Sequence, residues 1–411
     1  MRAGIVVSLL LGLSAGESPA ATTTAYVNGY WFDGSHFSRR TAYVIGETLS
    51  FHRPKRVDTT VDLQGGYVVP PFGEAHNHNV ESLNDVPKLI ATYLEHGIFY
   101  VKNPNNLPRD RATIAPQVNR PDSIDIVFSN GGWTSSGGHP MEIAKRLLDR
   151  HLWAEADGEG GFYWTAATRA DVERKWAAYL EQRPQFVKTY LLFSEDAHRQ
   201  ADPERYFGWK GLTPDALRAI VEFAHRAQLR VSAHIETAQD FHEALLAGVD
   251  EINHMPGFRM TGDVDPHEAS EFELSEADAE LAHRRNVVVV TTLLGATQLD
   301  GTRRAEQDAL NTRNLRRLLG HHVAVALGSD SYRQDTLPEA QYLASLHAVA
   351  NATLLKMWTE TTATAIFPGR RIGRLREGCE ASFLVLAGNP LEDFANVTHI
   401  ARRVKQGRTL P

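Results

Sequence analysis

The sequence predicts an α/β fold, a (β/α)₈ TIM barrel with a small β-sandwich domain formed from both termini. Two observations lead to this prediction. In the middle of the chain, apolar strand-like runs alternate with amphipathic helical stretches, which is typical of parallel α/β folds. Polar residues of unusual type stand at the C-terminal ends of those runs. A barrel gathers strand ends on one rim, so the pattern favours a barrel over an open doubly wound sheet.

Eight runs in the middle of the chain are predicted to be barrel strands. They span residues 67–75, 98–102, 124–129, 186–190, 230–234, 249–254, 287–292 and 323–329. Helical periodicity is clearest over residues 214–227, 237–247, 274–285, 304–319 and 339–350. The barrel domain is therefore predicted over residues 69–368.

The two ends of the chain share a different pattern. Residues 23–66 contain short β-like runs closed by turn residues, and a similar pattern returns only over residues 372–411. Because two β-like ends flank a long α/β middle, we predict that residues 23–68 and 369–411 pair into one small β-sandwich domain.

The composition is that of an ordinary globular protein. The chain has 411 residues, of which 42% are hydrophobic, and 43 Lys and Arg stand against 50 Asp and Glu, a net charge of −7. This mild acidity is spread along the chain without a basic block that could neutralise phosphates, which argues against nucleic acid as a partner. Cys379 is the only cysteine, so an internal disulfide is excluded.

The first residues have the pattern of a secretory signal peptide. Met-Arg is followed by an apolar run from Ile5 to Leu13 and by small residues up to Ala20. A membrane anchor needs about 20 apolar residues, roughly twice this run. We therefore predict that residues 1–20 are cleaved and that the mature protein is periplasmic or secreted, without a membrane attachment.

Two histidines follow the first predicted strand. His76 and His78, in Glu74-Ala-His-Asn-His, are two positions apart, so in an extended chain their side chains point to the same side. Two neutral imidazoles that face one point are a good start for a zinc site. Taken alone, however, a His-x-His pair is a weak motif.

Three more polar residues end later strands. His234 ends the fifth, His254 ends the sixth, and Asp330 follows the eighth. Each by itself fits an ordinary turn or capping residue. Their joint appearance at the ends of the predicted strands indicates one shared site on the rim of the barrel.

With these motifs in place, the mature chain resembles the amidohydrolase superfamily, in particular imidazolonepropionase, dihydroorotase-like enzymes and metal-dependent Xaa-Pro dipeptidases. The resemblance extends from Val27-Asn-Gly, through Glu74-Ala-His-Asn-His, to Gly388-Asn-Pro-Leu-Glu-Asp. Two positions depart from the family pattern. Family members usually have Asp where this chain has Glu74, and their Glu-Gly-Lys-Asp-Ala-Asp turn is Glu377-Gly-Cys-Glu-Ala-Ser here.

Lys188 interrupts an apolar strand, where an inward-pointing amine is costly. One interpretation is a lysine that points outward or extends its amine to solvent. The resemblance implies another, in which the fourth-strand lysine reacts with CO₂ and the resulting carbamate on Lys188 bridges two divalent metal ions. Proximity to divalent cations biases an amine toward the neutral form that reacts.

The resemblance implies a complete two-metal site. One ion would be held by His76, His78, Lys188 and Asp330, and the second by Lys188, His234 and His254. Zinc suits this ligand set best, although Mn, Co or Fe could substitute. The metals would activate a water molecule, and Asp330 would act as general base and acid, accepting its proton and passing it to the leaving nitrogen.

Four further residues are candidate substrate contacts. Trp133 and His139 lie in a Gly-rich loop after the third strand, where the backbone can approach a ligand closely. Tyr190 follows Lys188 by two positions, and Arg259 follows His254 by five. Either side chain could bind a carbonyl or a carboxylate.

The leading hypothesis is therefore an exported metal-dependent amidohydrolase that cleaves an amide, a cyclic amide or a dipeptide-like bond in a small molecule. A mononuclear deaminase is the closest alternative. Such relatives typically lack the fourth-strand Lys and have Glu three residues after the fifth-strand His, where this chain has Thr237. A lactonase, esterase or phosphotriesterase using the same metals stays open, as do a non-catalytic binding protein and assembly into a homo-oligomer.

Overall fold

A computed structural model describes residues 22–81, 83–257 and 264–411. The predicted signal peptide, residues 1–20, lies outside these described residues, and so does the predicted substrate contact Arg259. Within the described ranges, no helix is both long enough and apolar enough to cross a membrane.

The described strands lie at both ends and throughout the middle of the chain. They are β1 (Thr23–Phe32), β2 (Phe37–Ile45), β3 (Thr48–Ser50), β4 (Thr59–Asp62), β5 (Tyr67–Val69), β6 (Phe72–Glu74), β7 (Ile98–Asn103), β8 (Asp125–Phe128), β9 (Gly132–Thr134), β10 (Tyr163–Thr165), β11 (Val187–Tyr190), β12 (Val231–His234), β13 (Glu251–Asn253), β14 (Val288–Val290), β15 (Ala324–Ala326), β16 (Phe383–Leu386), β17 (Ile400–Lys405) and β18 (Arg408–Thr409).

The described helices lie between β6 and β16. They are α1 (Val86–Glu95), α2 (Pro108–Ile114), α3 (Met141–Asp149), α4 (Arg169–Glu181), α5 (Ala197–Ala201), α6 (Pro214–Arg226), α7 (Ala238–Ala247), α8 (Glu276–Arg284), α9 (Gly301–Gly320), α10 (Leu337–Ser345), α11 (Asn351–Lys356) and α12 (Thr362–Ile366). Several begin at strong caps, such as Thr237, whose side chain accepts from the Asp240 amide at the start of α7.

Strands from both ends of the chain form one sheet. Its order is β18-β17-β16-β5-β1-β2-β3, and β4 pairs with β1. The ends meet where β16 runs antiparallel to β5, with Leu384 opposite Val69. All eight strands belong to a single hydrogen-bonded sheet, so a strand-rich terminal unit exists, while its two-layer sandwich form and its domain limits stay predictions.

The strands of the middle are parallel. One sheet has the order β10-β9-β11-β12-β13-β14-β15, and a second has the order β6-β7-β8. Strands β9 and β10 were not among the eight expected. The expectation of one strand over residues 67–75 is wrong, because Pro70 and Pro71 interrupt it: proline has no amide hydrogen to donate to a ladder. The segment before the prolines joins the terminal sheet, and the segment after them joins the parallel one.

Backbone hydrogen bonds connect both edges of the three-stranded sheet to the seven-stranded one. On one side the Ala75 amide donates to the Leu327 carbonyl at 2.8 Å, and on the other the Gln185 amide donates to the Phe128 carbonyl at 3.0 Å. The three-stranded sheet is therefore bonded on one side to the residue after β15, an edge strand, and on the other to a residue just before β11, an inner strand that pairs with β9 and β12. Ladder pairing itself does not extend across these contacts, and closure into a barrel stays a prediction.

Buried charges tie the terminal sheet to the parallel strands. Nζ of Lys405 on β17 lies 2.7 Å from Oδ1 of Asp125 on β8. The guanidinium of Arg370 bridges Asp125 and Glu380, with both nitrogen–oxygen distances at 2.7 Å. Because these charges are paired, their burial is compensated, and the orientation of the two parts is defined by specific bonds as well as by apolar packing.

Candidate active site

The candidate site residues stand at the C-terminal ends of the parallel strands. His76 follows β6 by two residues, Lys188 lies within β11, His234 ends β12, His254 follows β13 directly, and Asp330 follows β15 by four residues. Sequence positions more than 250 residues apart are thereby brought to one place, as the ends of adjacent parallel strands allow.

Three histidines surround the carboxylate of Asp330. Nε2 of His76 and Nε2 of His78 each lie 3.3 Å from Oδ1 of Asp330. Nδ1 of His254 lies 3.9 Å from Oδ2 of the same carboxylate. One ligand atom each from His76, His254 and Asp330 lie within 4.8 Å of one another, which is close enough for a single cation to bind all three.

His234 and Lys188 complete the cluster. The ring centroid of His234 lies 4.3 Å from that of His254. Lys188 is 1% exposed and lines the same cavity as His76, His78, His234 and Asp330. The structure thus brings together all six residues that the sequence predicts as metal ligands, and it places Lys188 inward, against the interpretation of an outward or solvent-reaching lysine.

Glu74 fixes the histidine pair against the Asp330 segment. Its Oε1 accepts from the backbone amides of His76 at 3.2 Å and Ser329 at 3.0 Å, and its Oε2 accepts from the Ser329 hydroxyl at 2.7 Å. The His76 carbonyl in turn accepts from the Asp330 amide at 2.8 Å. The longer Glu, at a position where the resembling family usually has Asp, therefore holds the segment of His76 and the segment of Asp330 together directly.

Three residues at this rim have a left-handed backbone conformation. His254 has a φ of 78°, Thr292 of 56° and Asp330 of 48°, so the residues following three adjacent strands adopt the left-handed region. That region is costly for side chains other than glycine, most of all for a β-branched threonine. Nδ1 of His254 lies 2.6 Å from Oγ1 of Thr292, so the strained positions also bond to each other.

Burial sets the charge states of the cluster. It lowers the pKa of His76 to about 3 and that of Lys188 to about 7. Burial opposes ionisation of Asp330, but hydrogen bonds with His76 and His78 outweigh it and hold the pKa of Asp330 well below its usual range. Neutral imidazole, an accessible neutral amine and an ionised carboxylate are the forms that bind metals.

The donor set therefore fits divalent metal ions. It combines neutral imidazole nitrogens with a carboxylate, a combination that zinc and similar ions favour. Nδ1 of His76 is buried and has no hydrogen-bond partner among the described residues, while Nε2 of the same ring faces Asp330. A buried nitrogen without a protein partner is expensive in a purely structural cluster, so the cluster is better explained by ligand binding.

A network behind Lys188 was not predicted. Nζ of Lys188 donates to Oδ1 of Asn253 at 2.8 Å, and Nδ2 of Asn253 donates to Oε1 of Glu251 at 2.8 Å. Lys102 pairs with Glu251 at 2.7 Å. A signal was present in the sequence, since Glu251 and Asn253 are polar residues two positions apart in an otherwise buried strand and must therefore share a face.

Two cavities meet at the cluster. The smaller, about 80 Å³, is lined by His76, His78, Asn105, His139, Pro140, Ile143, Phe162, Lys188, Tyr190, His234, Asp330 and Tyr332. The larger, about 660 Å³, opens between the loops that follow β14 and β15. Asp330 and Tyr332 line both cavities. A ligand whose reacting group lies in the small cavity could therefore extend into the larger one.

Among the predicted substrate contacts, His139 and Tyr190 line the small cavity. The His139 ring centroid lies 5.1 Å from those of Tyr190 and His234. Nδ1 of His139 lies 2.6 Å from Oε1 of Glu142, which orients the ring. Burial raises the pKa of the Tyr190 hydroxyl well above its ordinary value, so this group is a neutral hydrogen-bonding group.

The prediction that Trp133 contacts substrate does not fit the structure. Its ring is fully buried and packs against Trp164, Trp176 and Tyr179, away from both cavities. The reason is strand alternation: Trp133 lies in β9, an unpredicted strand, and faces the core, while Gly132 before it faces the cavity side. A Cβ at Gly132 would lie 2.5 Å from Cε2 of Tyr190 and 3.1 Å from Cγ of Lys188.

The chain is similar to known proteins in sequence and in fold. A sequence model of the amidohydrolase family matches residues 132–404. No curated protein sequence matches the chain significantly.

Solved structures share the fold at low identity. The ochratoxinase of A. niger superposes with a TM-score of 0.73 at 18% identity, covering 95% of this chain and 96% of that one. A prolidase complexed with N-methylphosphonate-L-proline gives 0.69 at 18% identity, covering 95% and 99%. Molinate hydrolase gives 0.70 at 16% identity, covering 95% of both chains.

Proposed function

Because the chain belongs to the amidohydrolase family, we propose that it is an exported, metal-dependent hydrolase that cleaves a carbon–nitrogen bond of an amide, a cyclic amide or a dipeptide-like small molecule. In this proposal the two parallel sheets are the wall of a closed (β/α)₈ barrel, and the site lies on its C-terminal rim. Export is inferred from residues 1–20.

The observation that carries the proposal is the arrangement around Asp330. Three buried histidines lie within 4 Å of one carboxylate, and a buried lysine lines the same cavity. His76, His78, Lys188 and Asp330 would hold one ion, and Lys188, as a carbamate, would share a second with His234 and His254. Bound divalent ions would supply a Lewis acid that polarises the scissile carbonyl and makes water acidic enough to attack near neutral pH.

The chain's own residues account for the proton movements. Asp330 is ionised and lines both cavities, so it can accept a proton from the attacking water and pass it to the leaving nitrogen. A bond forms between the water oxygen and the carbonyl carbon, the carbon–nitrogen bond breaks, and the products are a carboxylate and an amine. His139, oriented by Glu142, and Tyr190 line the small cavity and would hydrogen-bond the substrate in this proposal.

One observation favours a second candidate, a mononuclear deaminase. Oε1 of Glu236 lies 3.2 Å from Nε2 of His234, so a buried carboxylate stands beside the fifth-strand histidine although it comes one residue earlier than in deaminases. The inward Lys188 favours the two-metal hydrolase. A lactonase or esterase would use the same groups, and assays with lactones and esters beside the amides separate these activities.

Metal analysis of the protein purified without chelator tests the proposal. We expect about two equivalents of a zinc-like ion in the wild type and one or fewer in Lys188→Ala. Lys188→Met, which keeps more of the side-chain volume, is analysed in parallel. Lys145→Ala is the matched control, because this lysine is exposed and pairs with Asp149 on the surface.

Activity is measured on the same preparations as release of amine from N-acyl amino acids, dipeptides and cyclic amides, with and without chelator. Amine release that a chelator abolishes supports the proposal. One equivalent of metal in both the wild type and Lys188→Ala would favour the deaminase. Absence of bound metal, or no effect of chelator on activity, would overturn the metal-dependent mechanism.

A further inference from the structure

A further cavity lies outside the candidate active site. It has a volume of about 200 Å³ and lies between α1 and the segment that leads from Asp330 into α10. Among the described residues, it shares only Arg333 and Gln334, both exposed, with the larger cavity beside the cluster, and none with the smaller one. A short segment of chain therefore separates this cavity, which we term the α1 cavity, from the candidate active site.

The walls of the α1 cavity are mainly apolar. Leu89, Tyr93 and His96 are spaced as i, i+4 and i+7, so they lie on one face of α1. Tyr93 is buried and Leu89 is half-buried. Across the cavity, Leu337 and Pro338 in the first turn of α10 are also half-buried. The leucines, the proline and the tyrosine ring can therefore bury an apolar ligand.

The buried polar groups of the lining already have partners within the protein. Asp335 is 6% exposed, and its Oδ2 lies 2.6 Å from Nδ1 of His96. Its Oδ1 accepts from the Leu337 amide at 2.9 Å. The Tyr93 hydroxyl donates to Oδ1 of Asn79 at 2.9 Å. Because these groups need no further partner, apolar contact is what the cavity offers to a ligand.

The volume limits the size of that ligand. Pockets for drug-sized molecules have volumes of about 300–1,000 Å³, whereas an apolar cavity of about 150 Å³ is enough to bind a benzene ring. The α1 cavity, at about 200 Å³, therefore matches a molecule with a single ring and a small substituent.

Hydrogen bonds connect the α1 cavity to the predicted metal ligands. Asn79, which lines the cavity, donates from its backbone amide to Oδ1 of Asn77 at 2.7 Å and from Nδ2 to the Gln334 carbonyl at 3.2 Å. Nδ2 of Asn77 donates to the same carbonyl at 2.7 Å. Asn77 stands between His76 and His78 in the chain. A ligand that holds Asn79 and Gln334 in place would therefore also hold the histidine pair.

We propose that the α1 cavity binds a small neutral molecule with one aromatic or cycloaliphatic ring, and that its occupancy rigidifies the segments that carry the histidine pair and Asp330. A metal ion must order the same two segments, so ligand and metal should strengthen each other's binding. Only this coupling to metal rests on the proposed function. The ligand site and its effect on the two segments do not depend on it.

Matched probes test the ligand class. p-Cresol and cyclohexanol are compared with myo-inositol, which has a ring of the same size covered by hydroxyl groups, and Kd is measured by NMR titration. We expect at least one apolar probe to bind with a Kd below about 1 mM, and no binding of myo-inositol. Leu89→Trp enlarges a side chain of the cavity wall and should weaken binding by more than about tenfold. Leu152→Trp is the matched control, because Leu152 is 50% exposed and does not line the cavity.

Amide hydrogen exchange tests the effect on the two segments. The His78 amide donates to the Ser331 carbonyl, and the amides of Arg333 and Gln334 donate to Oγ of Ser331. With a saturating apolar probe, exchange of these three amides should slow by at least about threefold in the wild type and not in Leu89→Trp. The affinity of the protein for zinc should rise by about fivefold or more under the same conditions.

Two results would overturn the inference. One is that neither apolar probe binds, or that both bind equally well to Leu89→Trp. The other is binding that leaves the exchange of the three amides unchanged, because the cavity would then have no effect on the two segments.

The inference and the proposed function fail in distinguishable ways. Probe binding with slower amide exchange, in a protein that holds no metal, would support the α1 cavity and contradict the proposed function. Chelator-sensitive hydrolysis by a protein whose zinc affinity does not change with bound probe would support the proposed function and contradict the coupling.

Discussion

Nζ of Lys188 donates a hydrogen bond to Oδ1 of Asn253 at 2.8 Å, so the buried amine is held by a neutral amide. The carboxylate nearest to this amide, Glu251, accepts from Asn253 at 2.8 Å and pairs with Lys102 at 2.7 Å. The Ser232 hydroxyl, with one proton to donate, lies 2.9 Å from Oε1 of Glu251 and 2.8 Å from Oδ1 of Asn253. Glu251 thereby fixes the amide, and the amide orients Lys188 without giving it a counter-ion.

Asn253→Leu is expected to lower the metal content of the protein. The change removes the acceptor that orients Lys188, so the amine should no longer be held toward the histidines. Metal stoichiometry and the carbamate signal after incubation with ¹³C-bicarbonate, measured by NMR, check this.

Asn314→Leu is the matched control, because Asn314 is a buried amide that bonds to the backbone of Phe272 and Leu274, away from the cluster. It should cost stability and leave metal binding intact. Equal metal content in both variants would contradict the role of Asn253.

Lys102→Met is expected to destabilise the fold by about 3–5 kcal/mol, because it leaves the buried Glu251 carboxylate without its cation. Burial then raises the folded-state pKa of Glu251 above the unfolded value. A carboxyl group whose pKa is higher in the folded than in the unfolded state lowers the free energy of unfolding as pH rises through its folded pKa. The loss of stability in Lys102→Met relative to the wild type should therefore grow from acidic to neutral pH. Urea unfolding over this range measures it. The double variant Lys102→Met with Glu251→Leu should recover much of the loss, and a pH-independent deficit would contradict the mechanism.

Gly132→Ala is expected to impair the site with little effect on folding. An added Cβ would lie 2.5 Å from the Tyr190 ring and 3.1 Å from the Lys188 side chain, so one of them must move. We expect activity to fall by more than about tenfold, since small displacements of catalytic groups have large effects. Gly320→Ala is the control, because no atom lies within 4 Å of a Cβ at that glycine. Similar activity in the two variants would contradict this prediction, because it would mean that Tyr190 or Lys188 can move without loss of activity.

His96 is expected to make stability depend on pH. Its hydrogen bond with Asp335 raises its pKa above the ordinary 6.5. A histidine shifted upward contributes stability that is complete below about pH 6.5 and is lost as pH rises through the folded pKa. Because the His96 side chain is 36% exposed, screening limits the contribution to under about 1 kcal/mol. The destabilisation by His96→Gln should therefore be larger at about pH 5.5 than at about pH 8.5, as urea unfolding at the two pH values measures. Equal destabilisation at both would contradict this prediction.

Much of the fold was predictable because its signals are local. Each expected strand has a counterpart, and α6 and α7 begin within one residue of the expected positions. The error over residues 67–75 arose where two prolines end one strand and the next begins, so a continuous apolar run hides a change of sheet. Strands β9 and β10 were missed because they are three residues long and lie in a Gly-rich region.

The sequence by itself singled out the residues of the candidate site. Histidines and an aspartate at strand ends indicate a shared site, the resemblance to the amidohydrolase superfamily adds Lys188 and the roles as metal ligands, and the tertiary structure brings all six residues together. The sequence alone could not determine which neighbouring side chains point toward the cluster. Tertiary structure decided that Trp133 faces the core, that Asn253 faces Lys188, and that Arg333 faces a cavity beside Asp330. These outcomes depend on contacts between residues distant in the chain, and no local pattern of hydrophobicity encodes such contacts.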